Sequence, residues 1–206
     1  HWLVSSRSLD EITKIDRDSA DIIWRLGGSQ NEFTLIGDDE FFFRQHDARR
    51  QPDGTLSLFD NRSTVPNLST HSRAVWYDLD EVNLTATLVR EHRNTPDSYS
   101  FAMGSAQQQP NGNILVGWGS GAPTATEFRP DGSKAFEISM PYPQVSYRVF
   151  RSEWTGAPQA PVIVLGEDKI LYFSSNGVTE AGYEYDIYAD GQLIATVART
   201  GFEDSY

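Results

Sequence analysis

Three stretches of this chain align on one another, and that repeat limits the fold more than any other feature. They are HWLVSSRSLDEITKIDRDSADIIWRLGG from His1, DGTLSLFDN from Asp53 (resumed after an insertion as SRAVWYDLDEVNLTATLVREHR), and NGNILVGWGSGAPTATEFRPDGSKAFEISM from Asn111. His1 aligns with Thr55 and Asn113, at spacings of 54 and 58 residues, and Val4, Leu58 and Val116 then share a column. Each unit carries a strand that runs into an acidic turn, at Asp16, Asp80 and Asp131, followed by another apolar strand. Two units are preceded by a further strand, FFFRQHDARRQP and SFAMGSAQQQP, each ending in Gln-Pro before the turn. Four short strands in about 50 residues, with turn dipeptides between them and almost no helical periodicity, are the pattern of a β-propeller blade.

A blade packs both faces on its neighbours, so its middle strands should be apolar on both sides. Trp2, Trp24, Trp76 and Trp118 sit in or beside such strands and are read as inter-blade packing. The chain holds two complete blades and three strands of another, whereas propellers close with four to eight. The expectation is a piece of a longer polypeptide, or a ring completed by another chain. The blades are assigned to residues 1–156. After Met140 four prolines bracket a closing strand and linker, and residues 157–206 form a second β pattern, part of a small β-sandwich-like module, with Asp190-Gly191 as its hairpin signal. The expected fold class is therefore all-β: propeller blades followed by a partial sandwich.

Composition removes several function classes. The 206 residues include no cysteine, so disulfides, thiolate zinc sites and cysteine nucleophiles are absent. A formal net charge of −12 without a basic stripe argues against nucleic acid as partner. No apolar run reaches the length of a membrane-spanning helix. There is no Gly-rich phosphate loop ahead of a helix, no nucleophile elbow and no metal-ligand spacing, so no cofactor is expected. Three Asn-x-Ser/Thr sequons, at Asn61, Asn67 and Asn83, point to a secreted glycoprotein.

The strings LVSSRSLDEITKID, IIWRLGG, FRQHDARR, DGTLSLFDN, SRAVWYDLD, TATLVREHR and PNGNILVGWGS resemble the secreted arylsulfotransferase-like proteins, especially their fungal-type branch, in order and spacing. The later SSNGVTE and TGFED resemble the segment fused to that domain. The resemblance implies a β-propeller, and it implies an enzyme that moves a sulfuryl group between phenols through a covalent histidine, without a nucleotide donor. The matching histidine is His46, in QHDA, and the matching arginine is Arg7, in SSRS. The family's further histidines lie on other blades, one of them upstream of the SSR string, and His71 and His92 fall on no matching motif.

The residue types suit that chemistry. Neutral imidazole is a competent nucleophile, and a guanidinium stabilises charge spread over sulfuryl oxygens. Each residue also has a plainer reading. His46 could bind ligand only, or pair with Asp47. Arg7 could form an inter-blade salt bridge, with Asp60 as partner. Arg73, after the insertion, is a candidate anion contact. Arg49 is a candidate for binding or, with Arg50, a solvated turn. His71 and His92 read as surface residues. In the repeat alignment His46 corresponds to Gly104, so a histidine there is not a requirement of every blade. Besides the sulfuryl transferase, two alternatives stand: a secreted propeller that binds or cleaves a glycan, and a non-catalytic extracellular structural protein. The expected ligand is a small phenol or a glycan.

Overall fold

The computed structural model describes residues 1–63, 71–141, 143–153, 162–174, 184–200 and 203–206. Among them the chain is all-β, with one short 3-10 turn at Arg7–Leu9. It divides into two compact units, 1–151 and 152–206. The boundary expected between residues 156 and 157 lies outside the described residues.

Among the described residues the first unit holds twelve strands in three sheets. β1 (Trp2–Ser6), β2 (Glu11–Ile15) and β3 (Ile22–Gly27) form an antiparallel meander. β4 (Thr34–Ile36), β5 (His46–Arg50), β6 (Leu56–Asp60), β7 (Arg73–Asp80) and β8 (Thr85–His92) form a five-stranded sheet in the order β4-β8-β7-β6-β5. β9 (Ser105–Gln108), β10 (Ile114–Gly117), β11 (Ala125–Phe128) and β12 (Lys134–Ile138) form a third, in sequence order. The repeat thus delivers the strands it implies. β4 departs from it: Thr34–Ile36 pairs parallel to β8 and makes a fifth strand where the repeat gives four. No closed sheet is found among the described residues.

Period-two alternation explains how the sheets stack. On β6 and β7, Leu56, Leu58, Val75 and Tyr77 face one way and join Ile12, Trp24 and Leu26 of the first sheet in one core cluster. Phe59, Ala74 and Trp76 face the other way and join Ile114, Val116 and Trp118 of the third sheet. The middle sheet is therefore covered on both faces, and β6 is buried along its whole length. Burying each such side chain contributes about 1.5–3 kcal/mol relative to leaving it exposed. Trp24, Trp76 and Trp118 fill these layers as expected. Trp2 does not: on edge strand β1 it is 58% exposed.

The acidic turn residues hold the turns. Asp16 accepts backbone N–H groups from Asp18 and Ser19, and Asp80 does the same for Val82 and Asn83. One tight turn recurs after β5, β9 and β11, with Gly54, Gly112 and Gly132 at φ of 89°, 85° and 83°, where a Cβ would be strained. After β12 the chain runs along β9: Gly104 N–H donates to the Tyr147 carbonyl, and the Ser105 hydroxyl and Val149 backbone bond reciprocally.

In the second unit β13 (Val162–Leu165), β14 (Leu171–Ser174) and β17 (Glu203–Ser205) form one sheet, and β15 (Glu184–Ala189) and β16 (Gln192–Ala198) a hairpin. Asp190 and Gly191, at φ of 50° and 78°, make its turn as expected. Phe173 meets Tyr185 edge-on at 4.6 Å, joining sheet to hairpin.

Candidate functional site

His46 is the first residue of β5, and the strand reaches it through a bulge. Arg50 pairs with Leu56 and Arg49 with Ser57, but His46 pairs with Phe59, so Asp47 and Ala48 together face the single residue Leu58. β9 has no such insertion, and its Ser105 pairs with Gly117. The residue of β9 that occupies the place of His46 in the ladder is therefore Ser105, not the Gly104 that a residue-by-residue alignment selects. Asp47 takes a left-handed φ of 54°. Its carboxylate is buried, taking Arg49 Nε at 2.8 Å and the Ala106 N–H at 3.2 Å, with an Arg148 nitrogen at 3.4 Å. Bulges of this kind re-aim side chains next to active sites.

The His46 ring is gripped on both nitrogens. Nδ1 lies 2.7 Å from Asn61 Oδ1. Asn61 Nδ2 donates to the carbonyls of Ser100 and Met103, each at 3.0 Å. The amide thus has its donor side committed to two carbonyls and presents its oxygen to the ring, so Nδ1 carries the proton. On the other side the Met103 N–H donates to Nε2 at 3.2 Å. Burial pushes the imidazole below its ordinary value, the Asn61 contact draws it back up, and the positive fields of Arg7 and Arg148 push it down again. The net shift is downward, so the ring is neutral at neutral pH.

The loop that supplies Met103 is built for this approach. Ser100 and Ser120 hydroxyls bond each other and the backbone of Ala102 and Ser120. Ser72 ties the Ser100 backbone to the Asn61 carbonyl. Arg44, Asp47, Arg62 and Met103, all within or beside the site, have φ of 58°, 54°, 54° and 68°. Strained backbone of this type gathers at functional sites.

Arg7 opens the 3-10 turn after β1 and reaches the same loop. Its NH2 donates to the Phe101 carbonyl at 3.1 Å, and its guanidinium carbon lies 6.0 Å from the Phe101 ring centre. Asp60 is not its partner. Asp60 binds Arg73 Nε at 2.9 Å, in a buried cluster where Arg73 also meets Asp38 at 2.7 Å and Glu91 at 2.8 Å, and Tyr77 donates to Asp38. Arg73 therefore does not serve as an anion contact: its side chain is 3% exposed and its guanidinium already faces three carboxylates. Burial pulls its pKa down, but Asp60 and Asp38 hold it raised overall, so the charge is permanent.

Arg49 lies at the other end of β5, its guanidinium carbon 4.8 Å from the Phe150 ring centre. It borders an open cleft of ≈ 520 Å³ with Arg50, Gln107, Gln108 and Phe150. Arg50 is anchored to Glu81 and to the Gly54 carbonyl.

The Asn61 sequon is a correction. The residue is fully buried, and its Nδ2 sits between two carbonyls, where a glycan would displace both. Asn67 lies outside the described residues. Asn83 is exposed in the β7–β8 turn. His92 is no surface residue but is packed between Trp76 and Phe128, at 5.8 and 5.3 Å. Asn61, the Met103 amide and Arg148 are the site groups that sequence reasoning missed. The one signal was DN, a polar pair ending an apolar strand.

The sequence model of the arylsulfotransferase (ASST) family matches residues 1–140, which span all of the site except Arg148 and the segment around it. The chain belongs to the arylsulfotransferase family. No curated protein matches it. Among solved structures, a Bacteroides caccae protein of unknown function aligns over 95% of this chain and 72% of its own, at 11% identity and a TM-score of 0.35. His46, Asn61, Arg7 and the 100–104 loop all lie within the matched residues. Among the described residues no cluster of His, Asp and Glu could hold a metal ion, and no helix is long and apolar enough to cross a membrane.

Proposed function

We propose that this arylsulfotransferase-family chain transfers a sulfuryl group between phenols, with His46 as the covalent carrier and Arg7 as the cation that steadies the sulfuryl oxygens. The observation that carries the reading is a neutral, half-buried imidazole held on both nitrogens, in the field of two arginines. A neutral ring has a lone pair to attack with, and fixed positive charge lowers the barrier where negative charge spreads. In the first step the imidazole lone pair bonds to sulfur, the S–O bond to the aryl group breaks, and the phenolate leaves with the bonding pair. In the second step an acceptor phenol oxygen bonds to sulfur, the N–S bond breaks and returns its pair to the ring. The acceptor's proton passes through solvent to the departed phenolate. No nucleotide or metal enters either step.

The stacked sheets are read as propeller blades, with the remaining blades supplied by a longer polypeptide or another chain, and residues 157–206 as a sandwich-like segment. The reading also takes the protein as secreted, of the fungal-type branch, and glycosylated at Asn83, where glycosidase treatment would lower the mass. Arg49 is assigned to ligand binding in the cleft beside Phe150. Glycan cleavage finds less support, because it calls for a pair of carboxylates and the described lining of that cleft includes none.

The test is intact-protein mass spectrometry after incubation with 4-nitrophenyl sulfate, on the full-length protein and on His46→Ala. The expected result is a gain of one sulfuryl group in the wild type and none in the variant. No adduct and no nitrophenol release in the wild type would overturn the reading.

A further inference from the structure

We infer that Asn61 is the positioning residue of this site: its amide fixes the His46 tautomer, leaves Nε2 as the nitrogen that takes the sulfuryl group, and holds the loop whose Met103 N–H caps that nitrogen until it does. The chemistry of this inference rests on the sulfuryl-transfer reading; the positioning itself rests on geometry alone.

Asn61 directly follows β6, a strand buried along its length, and its side chain bridges two elements far apart in sequence. Through Oδ1 it holds His46, 15 residues back, and through Nδ2 it holds Ser100 and Met103, 39 and 42 residues ahead. An amide can do this because it carries an acceptor and a two-proton donor on one rigid plane. A carboxylate would turn an acceptor oxygen, in place of the donor, toward both carbonyls. A hydroxyl could not span both sides. The residue following Asn61 has a left-handed φ of 54°, as does Met103 at 68°, so the backbone on both sides of the bridge is held in a costly conformation.

The consequence for the reaction is specific. With the proton on Nδ1, the lone pair lies on Nε2, in the line of the Met103 N–H at 3.2 Å. When Nε2 bonds to sulfur, its lone pair is consumed and that N–H is released. That N–H must give way to the incoming sulfur, because both use the same lone pair. The ring becomes positive at the same moment, and Asn61 Oδ1 accepts the Nδ1 proton more strongly from a charged donor. Asn61 acts through His46 and the loop and does not itself touch the transferred group.

The test has two parts on the full-length protein. Long-range proton–nitrogen NMR of histidine-labelled wild type reads the His46 tautomer directly, with His46→Gln identifying its signals. The Nδ1–H form is expected, and a dominant Nε2–H form or an even mixture overturns the inference. The rate of sulfuryl-adduct formation from 4-nitrophenyl sulfate is then compared in wild type, Asn61→Ala and Asn61→Asp. Asn61→Ala should lose roughly 10²-fold or more, the scale of a misoriented catalytic imidazole. Asn61→Asp, whose carboxylate favours the imidazolium, should move the acid limb of the pH profile upward. An Asn61→Ala rate within threefold of wild type, or an unmoved acid limb in Asn61→Asp, overturns it. A wild type with the Nδ1–H tautomer that forms no adduct overturns the sulfuryl chemistry instead, while the tautomer result still supports the positioning.

Discussion

Gly104 stands against the Phe59 ring so closely that a Cβ added there would lie 2.3 Å from the nearest ring carbon. Phe59 is the ladder partner of His46, and it packs edge-on against Trp118 at 5.9 Å. Gly104 has φ of 112°, which L side chains rarely adopt. Gly104→Ala should therefore push the 100–104 loop off the ring and take the Met103 N–H away from His46. A loss of about 1–3 kcal/mol in urea denaturation is expected from overpacking and strain. The same variant should shift the His46 imidazole titration, whereas Gly132→Ala, whose Cβ meets nothing within 4 Å, should leave that titration alone.

Removing Arg73 should be the most damaging single change in the first unit. It would leave Asp60 fully buried and Asp38 nearly so without their counter-ion. Stranding buried carboxylates costs about 3–5 kcal/mol, so Arg73→Met should lower the urea midpoint by a corresponding amount. Arg73→Lys should recover little, because one ammonium cannot replace a fork that meets three carboxylates. The double variant Arg73→Met, Asp60→Leu should be more stable than Arg73→Met alone. A Lys variant as stable as wild type would contradict the geometry.

Acid should weaken the fold before the carboxylates titrate. His46, His71 and His92 all have lowered pKa values, with burial the largest cause in each. Near the ordinary value of 6.5 the unfolded chain binds these protons and the folded chain does not. Stability is therefore full above that value and is lost as pH falls from it toward the folded values. Urea midpoints should drop between pH 7.5 and 5.5. His92→Phe, which keeps a ring between Trp76 and Phe128, should flatten part of that slope. Adduct formation should show an acid limb below pH 6.5, since the protonated ring has no lone pair.

Arg7→Met should separate chemistry from stability. Arg7 is half-buried and its guanidinium donates to the Phe101 carbonyl, a contact on an exposed side, so unfolding should change by less than about 1 kcal/mol. Adduct formation should fall by about 10²–10³-fold, the cost of losing one preorganised charge at a developing oxyanion. The His46 titration should rise slightly, because Arg7 is one of the cations that depress it. Equal rates in Arg7→Met and wild type would assign the anion contact elsewhere.

The strands and their turns were legible because their causes are local. Period-two alternation around Leu56–Asp60 and Ala74–Tyr77, and turns such as Asp131-Gly132, need no knowledge of the rest of the chain. β4 was not legible, since three residues carry too little pattern and their partner, β8, lies about 50 residues on. In the candidate site, His46 and Arg7 came from a motif resemblance. Asn61 was misread because Asn-Arg-Ser is a sequon in the sequence, and nothing local shows that Nδ2 will meet carbonyls 39 and 42 residues away. Arg73 was misread for the same reason: Asp38, Asp60 and Glu91 converge on it only in the fold. The Met103 contribution is a backbone amide, and side-chain identity carries no trace of it.

The bulge at Asp47 and Ala48 means that the chemistry of this strand depends on a count as well as on an identity. Deleting Asp47 would let β5 and β6 pair one-to-one, as β9 and β10 do. His46 would still stand opposite Phe59, but the local bend and extra twist that the bulge puts into the strand would be gone. His46 would remain in the sequence, in a motif differing by a single letter, but the bend that sets its approach to Asn61 would be lost. Under the proposed chemistry, relatives that keep the histidine and lack the extra residue would be expected to form the sulfuryl adduct more slowly. A survey of activity across the family could sort its members by strand length at this point before considering any side chain.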